Sequence, residues 1–86
     1  MKTLVLINED QYKDENLAEL FSNMSENGIK FEILDLAKKE NQDIYDLYGL
    51  MQIPAIVVCQ DDGKAVSIWQ KDLPRVDQIS NAVGYV

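Results

Sequence analysis

Two stretches of this chain, Thr3-Leu4-Val5-Leu6-Ile7 and Ala55-Ile56-Val57-Val58-Cys59, are apolar almost throughout rather than at every second position. A strand with one wet face alternates, whereas a strand lacking a polar face has to be covered on both sides. Two such strands in a chain of 86 residues call for one sheet with helices laid over both faces, which is an α/β architecture.

The segments between these runs read as the covering elements. From Asp14 onward, Leu17, Leu20, Phe21 and Met24 recur at helical spacing, and Asn27-Gly28 supplies a left-handed stop. Alternation from Ile29 through Phe31 and Ile33 to Leu34 predicts a second strand ending near Asp35 or Leu36. Lys38, Lys39 and Glu40 make a solvated turn, and a second helix is expected from about Asn41, with Asp43 in its first turn. Ile44, Leu47 and Tyr48 form its apolar face and Gly49 its end. Pro54 opens the second apolar run, since proline is tolerated at the first residue of a strand. Asp61-Asp62-Gly63 signals a hairpin into a fourth strand from Lys64 to Gln70. A last helix begins around Pro74 and presents Val76, Ile79, Ala82 and Val83. The order is β-α-β-α-β-β-α, in one soluble domain spanning 1–86 without repeats or linkers. A helix between the first two strands makes them parallel, and the short turn makes the last two antiparallel, so the sheet is mixed.

Charge removes several function classes. Eight basic residues against fifteen acidic ones leave a net charge of −7, with no histidine to alter it. Nucleic acid and anionic membrane surfaces both require a basic patch, and neither is expected as a partner. A single cysteine, Cys59, rules out an intramolecular disulfide framework and suits a reducing, cytoplasmic setting. The apolar run Leu4 to Ile7 is too short for a signal-peptide core or a membrane span. Without histidine there is no histidine-based triad or metal cluster. The acidic stretch Asn8 to Glu19 lacks the turn glycine of a calcium loop, having Lys13 there and Tyr12 at a ligand position, so a charged helix N-terminus explains it better. Asp61 and Asp62 are explained by the hairpin turn, Tyr45 and Tyr48 by helix packing, and Cys59, late in an apolar strand, by burial as an inert thiol.

The element order, the Asp62-Gly63 hairpin and above all the segment Tyr48-Gly49-Leu50-Met51-Gln52-Ile53-Pro54-Ala55-Ile56-Val57-Val58 resemble the thioredoxin and glutaredoxin family in its small form. The resemblance implies a four-stranded mixed sheet in the spatial order second, first, third, fourth. It also implies a cis Ile53-Pro54 bond beside the face that grips extended peptides in the family. The family's chemistry rests on a cysteine at the start of the first helix, where the helix dipole and free amides stabilise a thiolate. Here Gln11-Tyr12-Lys13-Asp14 occupies that place, with Gln11 and Asp14 replacing the two cysteines, so both dithiol and monothiol mechanisms lose their nucleophile. Lys71 stands where the family commonly has a glycine after the fourth strand. Glu9, Asp10, Asp14 and Glu15 crowd the helix terminus that would receive a glutathione carboxylate, which makes glutathione an unfavourable ligand.

The expected activity is therefore that of a redox-inactive binding module, without a cofactor, whose face around Tyr12, Met51, Gln52, Ile53 and Pro54 contacts a protein partner. Loop-to-core packing accounts equally well for Met51 and Ile53. The alternative is a glutaredoxin-like, thiol-redox or glutathione-dependent protein using Cys59 or a ligand thiol, and a third possibility is a structural domain of a larger complex.

Overall fold

The apolar runs do become strands buried on both sides. The computed structural model describes residues 2–8 and 14–83. The elements are β1 (Lys2–Ile7), α1 (Glu15–Glu26), β2 (Glu32–Asp35), α2 (Lys39–Leu47), β3 (Ala55–Cys59), β4 (Ala65–Gln70) and α3 (Val76–Val83). They form one four-stranded sheet in the order β2-β1-β3-β4. β1 runs parallel to β2, with Val5 beside Ile33, and antiparallel to β3, with Leu4 beside Val57. β4 runs antiparallel to β3, with Ile56 beside Trp69.

Side chains of alternate parity leave opposite faces of a strand, and the two faces build two cores. Val5, Ile7, Ile56 and Val58 meet Leu17, Leu20 and Met24 of α1 and Ile79 of α3. Phe21 and Phe31 stack at the rim of this core, with ring centroids 5.1 Å apart. Leu4, Leu6, Ala55, Val57 and Cys59 meet Leu34 and Leu50, Ile44 and Tyr45 of α2, and Tyr48 at its C-cap.

Glycine ends both α1 and α2 in the same way. After α1 the Gly28 N–H donates to Ser25 O (3.1 Å) and the Ile29 N–H to Met24 O (2.9 Å). After α2 the Gly49 N–H donates to Asp46 O (3.1 Å) and the Leu50 N–H to Tyr45 O (3.1 Å). Both glycines have positive φ, 70° and 64°, as this paired carbonyl cap requires. The cap explains why β2 begins at Glu32 and not at the expected Ile29: the Ile29 N–H is already committed to the helix end, although its side chain is buried.

Two further expectations are corrected on α2. The helix starts at Lys39 rather than near Asn41, so its first-turn acid is Glu40 and not Asp43. Side chains from within the helix hold this early start. Asn41 Nδ2 donates to Asp35 O (2.8 Å) and Gln42 Nε2 to Leu36 O (2.9 Å), while the Ala37 N–H donates to Asp35 Oδ1 (2.9 Å). Leu47, expected on the apolar face, is exposed, because burial is centred on Asn41, Ile44, Tyr45 and Tyr48. At the other end of the chain Pro74 is buried two residues ahead of α3 rather than inside it. No helix among the described residues is long and apolar enough to cross a membrane.

Candidate functional site

The start of α1, the turn before β3 and the segment from β4 to α3 meet at one end of the sheet. Asp14 caps α1: its Oδ1 accepts from the Asn16 N–H at 2.8 Å, and its carbonyl accepts from the Ala18 N–H at 3.1 Å. A carboxylate at the positive end of a helix satisfies one of the four open amides and opposes the dipole. Asp14 thus performs a capping task in the place where the resemblance would put a cysteine. Gln11 and Tyr12 lie outside the described residues.

Before β3, the Ile53–Pro54 peptide bond is cis. The approach to it is held by β4: Gln70 Oε1 accepts from the Met51 N–H (2.7 Å) and the Gln52 N–H (3.1 Å). Met51 and Gln52 are exposed, while Ile53 and Pro54 are half-buried. These neighbours do not share one surface. Ile53 lines a shallow recess of about 400 Å³ on the α2 side with Asn8, Leu36, Gln42, Tyr45 and Asp46. Pro54 lines a larger groove of about 730 Å³ against α1.

That larger groove is floored by Leu20, Leu73, Pro74 and Val76 and edged by Asn16, Asn23, Lys71 and Arg75, with Asp14, Glu19, Asp72 and Asp77 around it. Arg75 Nε lies 3.4 Å from Asp77 Oδ1 in an exposed ion pair within the same loop, while the Arg75 main-chain N–H donates to Gln78 Oε1 at 2.8 Å. The groove therefore combines apolar lining with an excess of carboxylates. Sequence reasoning missed Leu73, Arg75 and the two asparagines. Their only signal was the spacing of Asn16 and Asn23, seven residues apart and so on one helical face, beside the apolar one.

Lys71 closes the groove at the end of β4 in an unusual conformation. Its φ is 67°, the Gln70 carbonyl accepts from the Asp72 N–H at 2.7 Å across it, and its own N–H donates to Pro54 O at 2.9 Å. A bond from residue i to i+2 spanning a positive φ is a γ-turn of the rare, strained kind. It is a conformation that favours glycine.

Cys59 is remote from this end of the molecule. It is 2% exposed on the α2 face, beside Lys2 in the ladder and four residues along β3 from Ala55, or ~13 Å of strand. Its polar neighbour is Tyr48, whose hydroxyl donates to Gly63 O at 2.6 Å across the hairpin. Burial first, then a hydrogen bond with the Cys59 side chain and the nearby charges of Cys59 and Asp62, raise the Tyr48 pKa above its usual 10.0. In the hairpin, Asp62 Oδ1 accepts from the Lys64 N–H (3.0 Å), a turn role for one of the adjacent aspartates. Among the described residues no group of cysteine, aspartate or glutamate side chains is arranged to hold a metal ion.

One solved structure matches the whole arrangement: thioredoxin 1 from the thermophilic eubacterium Thermosipho africanus TCF52B superposes with a TM-score of 0.67. The match covers 99% of this chain and 92% of that one. The fold is thioredoxin-like. Sequence identity across it is only 14%, so the likeness extends to the architecture. No protein-family model matches the sequence, and no curated protein matches it either. Within a thioredoxin-like fold, the groove between α1, Pro54 and the Lys71–Asp77 segment, of about 730 Å³, lies at the end of the sheet far from Cys59.

Proposed function

We propose that this thioredoxin-like chain is a redox-inactive binding module that holds a protein partner at the end of the sheet carrying Pro54. The observation that carries the proposal is the separation of the two features that redox chemistry needs together. The concave, apolar-floored surface lies between α1 and Pro54, while the sole cysteine is buried near the other end of β3. A thiolate formed at Cys59 would lack the amides of the α1 terminus and could not reach a disulfide bound in the groove. Met51 and Gln52, held outward by Gln70, add an exposed apolar side chain and an amide to the rim, where an extended segment of a partner could dock. The excess of carboxylates around the groove disfavours glutathione, itself a dicarboxylate.

Two measurements test this proposal. Insulin disulfide reduction by the purified chain should not exceed the uncatalysed rate; turnover that disappears in Cys59→Ser would restore the redox alternative. Affinity capture from native cells should recover a protein that is lost with Leu73→Glu or Met51→Glu and retained with an exposed control such as Glu26→Gln. Equal recovery by all variants would place binding elsewhere.

A further inference from the structure

The charges along the groove between α1, Pro54 and the Lys71–Asp77 segment are unbalanced. Asp14 and Glu19 stand on the α1 side, and Lys71, Asp72, Arg75 and Asp77 on the stretch from the end of β4 into the first turn of α3. Four carboxylates thus line it against two cations. One pair cancels, since Arg75 Nε is 3.4 Å from Asp77 Oδ1, and Asp14 is committed by one oxygen to the Asn16 N–H. Glu19 and Asp72, one on each side, are exposed and make no ion pair or side-chain hydrogen bond among the described residues. Lys71 is the one cation of the groove left to oppose them.

Between these carboxylates the floor suits a chain segment. Leu20 and Pro74 are buried and Leu73 and Val76 half-buried, so an apolar side chain laid across them leaves water. The Leu73 N–H makes no hydrogen bond within the described residues, and Pro74 has no N–H to give. A main-chain donor is therefore open at the floor to a carbonyl of a bound segment.

We propose that the groove takes an extended, basic segment of a partner protein, in which an apolar residue is flanked by lysine or arginine. This rests on the binding role proposed above for the groove and names the chemistry of its occupant. The apolar side chain lies on the floor, and the long stems of the flanking residues carry their charges to Glu19 and Asp72 at the rim. Exposed charge pairs add little affinity, so burial supplies the binding and the carboxylates select. They repel an acidic segment and, with the net charge of −7 of the whole chain, speed the approach of a basic one.

An array of short random peptides probed with the full chain tests this. Retained peptides should be enriched in lysine and arginine beside an apolar residue and depleted in aspartate and glutamate. Glu19→Lys combined with Asp72→Lys should abolish that preference and bind a retained basic peptide roughly tenfold more weakly by fluorescence anisotropy. Glu26→Lys combined with Asp43→Lys makes the same change in net charge at exposed sites outside the groove, and should weaken binding less than about threefold, which separates the groove from the general field of an acidic protein. Leu73→Glu should abolish retention. The charge reversals decide the matter even if Leu73→Glu fails to fold, because Glu19 and Asp72 are exposed. Retention that depends on Leu73 but shows no basic preference, or equal weakening by the two double variants, overturns this inference while leaving the groove as a binding site. Retention that survives in folded Leu73→Glu, or no retention at all, overturns both.

Discussion

Replacing Lys71 by glycine should stabilise the protein, although it removes a side chain and adds none. Lys71 is exposed and sits at φ 67°, at the centre of the γ-turn between Gln70 and Asp72. A residue with a Cβ held in the left-handed region carries a penalty of ~1–2 kcal/mol that glycine does not. Against this, glycine gives the unfolded chain extra freedom, which costs about 0.4–1 kcal/mol. The Lys71 N–H bond to Pro54 O belongs to the main chain and is retained. The difference is a gain of about 1 kcal/mol, and at ~2.1 cal/mol/K per residue of unfolding entropy an 86-residue chain should melt ~5 °C higher. Lys71→Ala is the control: it keeps the Cβ and the penalty, and should fall within about 0.5 kcal/mol of the wild type. Lys71→Val, with a stiff branched side chain, should be the least stable of the set. Urea and thermal unfolding of all three variants measure the order. If Lys71→Gly is no more stable than Lys71→Ala, the turn is not strained and the reasoning fails.

Three other outcomes follow from named contacts. Cys59, buried on the α2 face, should react with a thiol reagent far more slowly in native than in unfolded protein, and Cys59→Ala should cost on the order of 1 kcal/mol in urea denaturation. Tyr48 has its pKa raised, so the stability arising from its neutral hydroxyl is complete below pH 10 and declines as pH rises through its folded-state pKa. Tyr48→Phe should be less stable at neutral pH by about 1 kcal/mol, having lost the bond to Gly63, and should show a shallower alkaline loss; parallel alkaline profiles would refute this. Asn41→Ala leaves the Asp35 carbonyl without the Asn41 amide and should cost ~1–2 kcal/mol by chemical denaturation, whereas a half-buried Asn23→Ala control at the groove should change stability less.

What the sequence determined by itself was the layering. Uniformly apolar β1 and β3, helical spacing from Leu17 to Met24, and turn residues at Asn27-Gly28, Tyr48-Gly49 and Asp62-Gly63 are local patterns, and they sufficed for the element order, the four-stranded mixed sheet and the burial of Cys59. Its failures came from bonds made across space. Ile29 lost its place in β2 because its N–H caps α1, and α2 began early because Asn41 and Gln42 reach back to the carbonyls of Asp35 and Leu36. Periodicity assigned Leu47 to the core, but one residue of rotation, decided by where Tyr45 and Tyr48 fit, put it in solvent. The region around Pro54 was readable as a place but not as a surface. A main chain that turns between two packed layers sends Ile53 to one side and Pro54 to the other, and which residues complete each side depends on the loop from Lys71 to Asp77, distant in sequence and adjacent only once β4 has paired with β3.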